Sequence, residues 1–547
     1  MRSIRGNRRG LSAVAGAASV AVLLAACSGG GDGESGDEGG DAGGALTVGT
    51  TDKVTTIDPA GSYDNGSFAV MNQVYPFLMN TPYGSPDVEP DIAESAEFTE
   101  PTEYTVTLKP GLKWANGNDL TASDVKFSFD RMVAIAAENG PSSLLYNLDS
   151  TEVVDDTTVV FHLKSENDQT FPQILSSPAG PIVDEDVFSA DELTPDQEIV
   201  DGNAFAGQYA ITSYNFNELI TYEAYEGYQG LLGPAETAEV NVSYFADSSN
   251  LKLEVQQGSV DVAFRSLSST DVEDLQGDDN VKVVEGPGGE IRYIVFNFDT
   301  QPYGAEQPEA DEDKALAVRQ AVAHLIDRDA ISEQVYKGTY TPLYSYVPAG
   351  LTGATESLKE LYGDGQGGPD AAAAEQALND AGVETPVGLS LQYSNDHYGP
   401  SSGDEYALIK DQLEESGLFT VDLQTTEWVQ YSEDRSSDVY PAYQLGWFPD
   451  YSDADNYLTP FFQTENFLSN HYSNPAVDDL ILEQGVATDP AERTAIIEEI
   501  QDTVAQDLST VPYLQGAQVA VVGADVTGAE DTLDPSFKFR YAALAKG

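Results

Sequence analysis

Helix and strand patterns alternate along the second half of the chain, and this alternation restricts the possible folds more than any other feature. The alanine-rich stretch 370–381 predicts a helix that ends at Gly382, since glycine takes the left-handed conformation of a helix C terminus without strain. A strand pattern follows at 389–393, then a helix from about 405 to 416 and a strand at 421–425. Alternation of this kind is the signature of α/β domains, and we predict an α/β fold.

Both kinds of pattern recur through the rest of the chain. Alternating or β-branched residues predict strands at 45–49, 104–108, 157–163 and 291–298, and a helical region lies between 475 and 508. With 547 residues, the chain is long enough for three or four domains or for two large lobes. One further helix has an apolar face made of Val318, Ala321, Val322, Leu325 and Ile326.

The chain is strongly acidic, with 92 Asp and Glu residues against 25 Lys and Arg residues and a net charge of −67. Such a charge can prevent folding, but 29 tyrosines and 21 phenylalanines supply the apolar surface that a folded core requires. A surface this anionic repels phosphate backbones, so we exclude nucleic acid as a partner. One cysteine and four widely spaced histidines provide neither a disulfide framework nor a set of zinc ligands, and we expect no metal and no cofactor.

The N-terminal segment has the pattern of an export signal. Four arginines within residues 1–9 precede an apolar stretch at 11–26, which is too short and too often interrupted for a permanent membrane span. The stretch ends in Leu-Ala-Ala-Cys27, which resembles the lipobox of bacterial lipoproteins, where the peptidase cuts before an acylated cysteine. We predict a signal peptide at 1–26 and lipidation of Cys27. A plain secretory peptide with an incidental cysteine is the alternative.

Residues 27–44 connect this cysteine to the folded body. After Cys27 the segment has no apolar side chain larger than alanine, so it cannot bury surface and is predicted to be a flexible tether. Removal of residues 1–26 would leave 21 basic and 92 acidic residues, a net charge of −71. No later segment reaches the roughly 18 apolar residues that a membrane helix needs. We therefore place the mature protein on the outer face of the cell membrane, held by its lipid anchor.

Five stretches of the chain carry recognisable motifs. They are 111–117 (Gly-Leu-Lys-Trp-Ala-Asn-Gly), 121–128 (Thr-Ala-Ser-Asp-Val-Lys-Phe-Ser), 292–297 (Arg-Tyr-Ile-Val-Phe-Asn), 318–323 (Val-Arg-Gln-Ala-Val-Ala) and 470–478 (Asn-His-Tyr-Ser-Asn-Pro-Ala-Val-Asp). These motifs resemble, in order and spacing, those of the extracellular solute-binding proteins of ABC transporters, in the oligopeptide, dipeptide and nickel group (solute-binding family 5). The resemblance covers nearly all of the mature body. One departure lies at Ala206-Gly-Gln-Tyr209, where a Gly-Thr-Gly-Pro-Tyr run is common in the family.

The resemblance implies a two-lobe fold of the periplasmic-binding-protein type with an additional inserted subdomain. In such proteins the ligand is enclosed between lobes that two crossing segments join and that close by a hinge motion. The resemblance further implies a binding protein without enzymatic activity that works with the transmembrane subunits of an ABC permease, and we expect a monomer. The implied boundaries are 45–90 with 205–297 and 515–547 for lobe I, 91–204 for the inserted subdomain and 298–514 for lobe II.

The densest group of aromatic and acidic residues lies at 443–457. A carboxylate among aromatic rings is a good receptor for an ammonium group, because the charge pairs with the cation while the rings exclude water and add cation–π attraction. In peptide-binding members of the family, an aspartate three residues after a Gly-Trp pair binds the free amine of the peptide, and Asp450 holds that position. The alternative is that these aromatic rings belong to the core and that Asp450 is an ordinary loop carboxylate. The candidate ligand-binding residues of this segment are Gly446, Trp447, Phe448, Asp450 and Tyr451.

Two more candidates follow from the resemblance. Trp428 matches a second tryptophan that lines the site in the same group, and His397 lies in a region that reaches the peptide's carboxylate in relatives. Some oligopeptide binders also place an arginine three residues before the tryptophan of the Gly-Trp pair, to meet that carboxylate. This chain has Gln444 there, so recognition of the far end of a peptide must differ. For His397 the alternative is an ordinary solvated loop histidine.

Three motifs of catalysis or metal binding do not fit their surroundings. Ser401 has the flanking glycines of a nucleophile elbow, but a loop pattern precedes it in place of a strand. The glycine-rich stretch 363–368 follows a helix-like segment, whereas a dinucleotide fingerprint follows a strand. Asp450, Asp453 and Asp455 lack the glycine and the distant glutamate of an EF-hand loop. We predict no catalytic residues and no metal ligands.

Together these patterns favour a lipid-anchored extracellular receptor that binds oligo- or dipeptides and delivers them to an ABC permease. The main alternative is the same fold with another cargo, such as an oligosaccharide, a nickel chelate or haem. Four histidines and four methionines disfavour a metal cargo, and a sugar would not require Asp450. A third hypothesis is an extracellular hydrolase that uses paired carboxylates or Ser401, which would turn its substrate over.

Overall fold

The computed structural model of the protein describes residues 44–399 and 401–547. The predicted signal peptide, Cys27 and all but the last residue of the predicted tether lie outside these residues. Within them, none of the helices combines the length and the apolar composition that a membrane crossing requires. Strands and helices alternate along the described chain, which confirms the predicted α/β class.

The strands range from two-residue bridges to two central strands of 16 and 14 residues. In chain order they are β1 (Leu46–Thr50), β2 (Met79–Asn80), β3 (Glu89–Pro90), β4 (Ala93–Glu100), β5 (Glu103–Leu108), β6 (Leu148–Asp155), β7 (Thr158–Leu163), β8 (Tyr209–Asn215), β9 (Leu219–Ala224), β10 (Glu239–Tyr244), β11 (Val262–Phe264), β12 (Val281–Phe296), β13 (Tyr340–Pro342), β14 (Val387–Ser394), β15 (Phe419–Thr426), β16 (Ala442–Trp447), β17 (Thr510–Gly523), β18 (Val526–Thr527) and β19 (Ala545–Lys546).

The α-helices are mostly short, and four 3₁₀ turns at Pro59–Gly61, Pro141–Leu145, Glu530–Thr532 and Tyr541–Ala543 supplement them in the described residues. The helices are α1 (Asn65–Val74), α2 (Ala122–Ile135), α3 (Phe171–Ile174), α4 (Asp196–Asp201), α5 (Ser248–Gln256), α6 (Ser269–Leu275), α7 (Glu312–Leu325), α8 (Arg328–Gln334), α9 (Ser357–Leu361), α10 (Ala371–Asp380), α11 (Ser402–Glu415), α12 (Trp428–Arg435), α13 (Asp455–Phe462), α14 (Pro475–Val486) and α15 (Pro490–Asp507).

One large sheet organises the fold. Its strand order is β15-β14-β16-β12-β17-β11-β1-β10-β9-β8, with β13 added beside β17. The long strands β12 and β17 pair antiparallel from Val281 opposite Gly523 to Val295 opposite Thr510. Because β12 also pairs with β16 and β17 also pairs with β11, these two strands join the two halves of the sheet.

A second sheet is smaller and antiparallel, with the order β4-β5-β7-β6. Helix α2 packs against it and begins with a capping box, in which the side chains of Thr121 and Asp124 each accept a backbone N–H of the first turn. The apolar residues of α2 and of this sheet share one core, in which Trp114, Phe129 and Phe161 are almost completely buried. The alternating burial of β5 and β7 follows from one face packing on this core.

Buried apolar side chains of the described residues form four clusters. The largest surrounds β12, β14 and β16 and takes its members from 291–514. The second joins β1, β8, β9 and β10 to the C-terminal segment 526–544, and the third is the core of the smaller sheet. The fourth packs α5 and α6 against β11 and β17. The lobe and subdomain boundaries given above stay predictions.

Most of the predicted elements are confirmed with small changes of length. Asp370 caps α10 by accepting the backbone N–H groups of Ala372 and Ala373, and Gly382 follows the helix with a φ of +68°. Strand β12 begins ten residues before the predicted start at Ile291.

The predicted helical region at 475–508 is confirmed, and it consists of two helices, α14 and α15, which residues 487–489 separate. Asp489 caps the second helix by accepting the N–H groups of Ala491 and Glu492. Pro490 occupies its first position, where a missing N–H does no harm. The N-cap Asp489 and Pro490 therefore begin a second helix within the continuous apolar pattern.

A buried ion pair fixes α2 to the first turn of the chain. Arg131 donates to both carboxylate oxygens of Asp58 at 2.8 and 2.6 Å, and both side chains are at most 2% exposed. We expect Arg131→Met to lower the free energy of unfolding by about 3–5 kcal/mol, because Asp58 would remain buried without its cation. Urea denaturation followed by circular dichroism measures this loss.

The matched control is Lys126→Met on the same helix, which removes an exposed pair with Asp130. It should change the free energy of unfolding by at most about 0.5 kcal/mol. Similar small effects of both substitutions would contradict a structural role of the Arg131–Asp58 pair.

Candidate functional site

A cavity of about 350 Å³ lies between two groups of segments. One group consists of residues from 397–398, 428, 445–452 and 467, and the other of residues from 63–68, 81–88, 173–178 and 536–538. The structure brings all seven predicted ligand-binding residues together at this cavity; their contact with a ligand stays a prediction. They are His397, Trp428, Gly446, Trp447, Phe448, Asp450 and Tyr451.

The Gly-Trp pair enters the cavity because it ends β16. Gly446 lies opposite Arg292 of β12, and a side chain at its position would come within 2.9 Å of the ring of Tyr398. The absence of a side chain thus allows this tyrosine to pack against the strand. The indole of Trp447 packs edge-on against Phe461 at 5.0 Å, so that one ring of the cavity wall is held by the core.

Asn456, near the start of α13, holds the indole and the carboxylate together. Its side-chain oxygen accepts the indole N–H of Trp447 at 2.9 Å and the backbone N–H of Asp450 at 2.8 Å. Its Nδ2 donates to Asp450 Oδ2 at 3.0 Å. One buried amide therefore orients both groups, a role that the sequence analysis did not assign.

Asp450 is a half-buried carboxylate without a cationic partner. Its Oδ1 accepts the hydroxyl of Tyr63, and within the described part of the chain no Lys, Arg or His nitrogen lies within 4.0 Å of it. Burial raises the pKa of Asp450, and the hydrogen bonds from Tyr63 and Asn456 oppose this rise. A positive group placed beside Asp450 would reverse the effect of burial, which is the electrostatic property of an ammonium receptor.

The neighbouring rings supply apolar walls around this carboxylate. Phe448 packs edge-on against Phe537 from the opposite side of the cavity, with ring centres 5.6 Å apart. The hydroxyl of Tyr451 donates to Asp455 at 3.1 Å, which leaves its ring on the cavity side. Rings on both sides of a charge exclude water and strengthen its interaction with a ligand.

His397 and Trp428 form a stacked pair at the cavity wall. Their ring centres are 3.6 Å apart at an interplanar angle of 5°, and the backbone N–H of Trp428 donates to Asp396 at 2.8 Å. Burial of part of the ring and the charge of Arg292 lower the pKa of His397, against the opposing effect of Asp396. A lower pKa favours the neutral imidazole, which can offer a hydrogen bond to a carboxylate.

Gln444 does not line the cavity. Its side-chain oxygen accepts the backbone N–H of Ser394 at 3.1 Å, and its Nε2 donates to the buried carboxylate of Glu405 at 3.1 Å. The side chain thus belongs to the interior behind β16. This agrees with the expectation that the far end of a peptide is recognised by other residues.

The sequence analysis missed the residues on the opposite wall, among them Tyr63, Phe537 and Lys538. No local pattern connects them with Asp450, because the hydroxyl of Tyr63 meets that carboxylate across 387 positions of the sequence. One usable signal was the run Phe-Lys-Phe-Arg at 537–540, which concentrates two cations and two rings in a very acidic chain.

The motifs that we set aside have structural explanations. A loop separates the end of β14 at Ser394 from Ser401, so no strand leads into this serine. The glycine-rich stretch 363–368 follows helix α9. Both carboxylate oxygens of Asp453 accept from Arg493 at 2.7 Å, and the described residues contain no cluster of acidic, His or Cys side chains able to hold a metal ion.

An aromatic cavity with a carboxylate that lacks a cationic partner is the kind of site in which proteins bind small solutes. Comparison with known families agrees. Residues 87–469 match the model of the bacterial extracellular solute-binding proteins, family 5, and the chain belongs to this family. It is therefore an extracellular solute-binding protein of the ABC-transporter type and not an enzyme.

Individual relatives extend the likeness over the whole described chain. The glutathione-binding protein GsiB of Escherichia coli (strain K12) is 26% identical over 510 residues, which are 91% of this chain and 94% of GsiB. The substrate-binding protein CtaP of Listeria monocytogenes has a TM-score of 0.76 and 23% identity over 92% of this chain and 100% of CtaP. The oligopeptide-binding protein AppA of Bacillus subtilis, solved with a nonapeptide, has a TM-score of 0.66 and 20% identity over 92% and 99%. These likenesses confirm the two-lobe fold.

The raised pKa of Asp450 predicts a gain of stability when its charge is removed. Below the pKa of the unfolded state, near 3.8, the carboxyl is protonated in both states and its burial costs no stability through charge. The loss of stability grows as the pH rises from this value to the higher pKa of the folded state, and it is complete above the folded pKa. Asp450→Asn keeps both hydrogen bonds, because the amide can donate to the hydroxyl oxygen of Tyr63. We expect this variant to unfold at a higher temperature than the wild type at pH 7.

Thermal unfolding of the ligand-free protein between pH 4 and pH 8 tests this expectation. The difference between variant and wild type should shrink towards pH 4. Asp149→Asn, at an exposed position of β6, is the control and should change the unfolding temperature little at any pH. A less stable Asp450→Asn variant at pH 7 would show that the carboxylate stabilises the free protein.

Proposed function

We propose that this protein is the lipid-anchored receptor of an ABC importer and that it binds short peptides through their free amino group. The observation that carries the proposal is the carboxylate of Asp450, which is half-buried among aromatic rings without a cation of the described residues within 4.0 Å. A peptide ammonium would supply the missing charge, and the rings would exclude water from the pair.

The other predicted residues take supporting roles in this proposal. Trp447, Phe448 and Tyr451 form the walls around the ammonium group, and Gly446 allows the ring of Tyr398 to pack against the strand beside them. The stacked pair of Trp428 and His397 provides a flat apolar wall with one hydrogen-bonding group. Backbone groups of the peptide would pair with backbone groups of the cavity, so that many side chains are accepted.

The comparisons support a peptide cargo. GsiB is named a glutathione-binding protein, and AppA was solved with a nonapeptide. The cavity volume of about 350 Å³ lies at the lower end of the range of about 300–1,000 Å³ for ligand pockets. This volume favours a cargo of a few residues over a long peptide.

The proposal includes the cellular setting. Residues 1–26 direct export, Cys27 carries the lipid, and the acidic tether up to residue 44 lets the body reach the permease from the outer face of the membrane. The protein acts as a monomer. Its lobe I (45–90, 205–297 and 515–547) and lobe II (298–514) close on the peptide by a hinge motion, and the inserted subdomain (91–204) forms part of one cavity wall.

The test uses a peptide library of two to four residues in two forms, with free amino groups and with acetylated ones. Equilibrium dialysis followed by mass spectrometry measures what the protein retains. The wild type should retain the free-amine form at least about tenfold better, because a buried charge-assisted hydrogen bond is lost on acetylation. Asp450→Ala should abolish this preference, whereas Asp149→Ala should keep it.

Small molecules released from the purified, denatured protein give an independent result. Peptides recovered from the wild type and absent from Asp450→Ala would support the proposal. Sugars recovered from both proteins, or equal retention of free and acetylated peptides by the wild type, would contradict it.

A further inference from the structure

Lys538 places a second charged group in the wall of the same cavity. The residue lies in the C-terminal segment after β17, and its side chain is 6% exposed. A lysine this deeply buried normally has a carboxylate beside it. Among residues 44–399 and 401–547, however, no carboxylate oxygen lies within 4.0 Å of its Nζ.

The ammonium group has more donors than the surrounding protein uses. Nζ donates to the hydroxyl of Ser176, which also lines the cavity, and it lies 5.9 Å from the ring centre of Phe77. An ammonium group has three N–H donors, and within the described residues this is its one hydrogen bond to a side chain or backbone acceptor. The remaining donors are free to meet a ligand.

A second polar group of the same wall is also without a partner. The hydroxyl oxygen of Ser536, two residues before Lys538, is buried and makes no hydrogen bond of regular geometry to the described residues, although it lies close to the carboxylate of Asp534. The backbone N–H of Ser536 is already bonded to Asp534 at 2.7 Å, so its position is fixed while its hydroxyl can rotate. Buried hydroxyls of proteins nearly always have partners, which makes this one a candidate ligand contact.

The charges around Lys538 do not neutralise it at close range. Arg540 donates to Asn72 and Asn80, and it repels the ammonium group. Asp534 and Asp91 attract it from beyond 4.0 Å, and Asp91 accepts from other groups of its own surroundings. Burial, with a contribution from Arg540, lowers the pKa of Lys538 well below its usual value, and a bound carboxylate would raise it again.

We propose that Lys538, together with the hydroxyls of Ser176 and Ser536, binds the carboxylate of the cargo. This assignment rests on the proposed peptide function and deepens it, since it names the cargo class as short zwitterionic peptides with a free C-terminal or side-chain carboxylate. The aromatic contact of Phe448 with Phe537 connects the two charged groups: Asp450 lies two residues after one ring and Lys538 one residue after the other.

A purely structural role is the competing explanation, because the bond to Ser176 also ties the C-terminal segment to the stretch after α3. Arg265 is a second cation near the cavity, stacked on Phe537 at 4.5 Å and on Phe448 at 5.3 Å. It borders two neighbouring cavities and not this one, so it is not the carboxylate site in our proposal.

The test again uses a peptide library of two to four residues, now as free acids mixed with the same sequences as C-terminal amides. Equilibrium dialysis and mass spectrometry give the retained ratio of acid to amide. The wild type should prefer the acid by at least about tenfold, as expected for a charge-assisted hydrogen bond in a buried site. Lys538→Met, which keeps the length of the side chain, should bring the ratio close to one while free amines are still preferred over acetylated ones.

Two further variants keep the result interpretable. Lys410→Met makes the same chemical change on the surface of α11 and should leave the ratio unchanged. Ser536→Ala removes only the unpartnered hydroxyl and should lower the ratio several-fold without loss of fold. A lowered ratio in Lys410→Met, or an unchanged ratio in Ser536→Ala, would contradict the assigned site.

The outcomes separate this inference from the proposed function. Retention of neither library by the wild type would overturn both. Equal retention of acids and amides by the wild type, or an unchanged ratio in Lys538→Met, would overturn the carboxylate site and leave the binding of free amines intact. Loss of the acid preference in Arg265→Gln but not in Lys538→Met would assign the carboxylate to the other cation.

Discussion

The antiparallel pairing of β12 with β17 positions both walls of the cavity. In its register, Ile291 of β12 lies between Trp447 of β16 and Gln515 of β17. Strand β16 therefore delivers the Gly-Trp pair and Asp450 from one side of this central ladder. The chain that continues from β17 delivers Phe537 and Lys538 from the other. A ligand in the cavity would contact residues that follow β16 as well as residues that follow β17, and binding stabilises a closed arrangement only when the ligand contacts both sides.

The two charged groups of the cavity, Asp450 and Lys538, lower the stability of the ligand-free protein. Asp450 is half-buried and Lys538 is buried, and among the described residues neither has a partner of opposite charge within 4.0 Å. Burial raises the pKa of Asp450 and lowers that of Lys538, so it favours the neutral form of each. By contrast, the structural ion pairs Arg131–Asp58 and Arg493–Asp453 are bidentate. Charged side chains that are paired with each other thus stabilise the fold, whereas those without a partner are the ones that we propose to bind a ligand.

Local sequence patterns were sufficient for the α/β class and for the aromatic and acidic segment 443–457 of the site, whereas Trp428 and His397 followed from the family resemblance. Periodicity identified α7, α10, α11 and the strands β14 and β15, because their apolar residues repeat at the spacing of the element that buries them. Asp450 and its neighbouring rings were found because they lie within one short segment. The other wall could not be found in this way, since Ser176 and Lys538 meet across 362 positions and only the folded chain brings them together. Likewise, nothing local marks Asn456 as the amide that orients Trp447 and Asp450.

Because the chain has a large negative charge, a cation inside the cavity affects which ligands can enter it. Screening limits the field of the surface carboxylates to about 8 Å at physiological salt, but within that distance they attract amines and repel carboxylates. The field alone would therefore select for cations of any kind. A carboxylate can enter only where a cation is placed inside the cavity and shielded from the surface acids, and Lys538 is in such a place. In our proposal, Lys538 and Asp450 together replace a general attraction for positive charge by selection for a ligand that carries both charges, in one orientation.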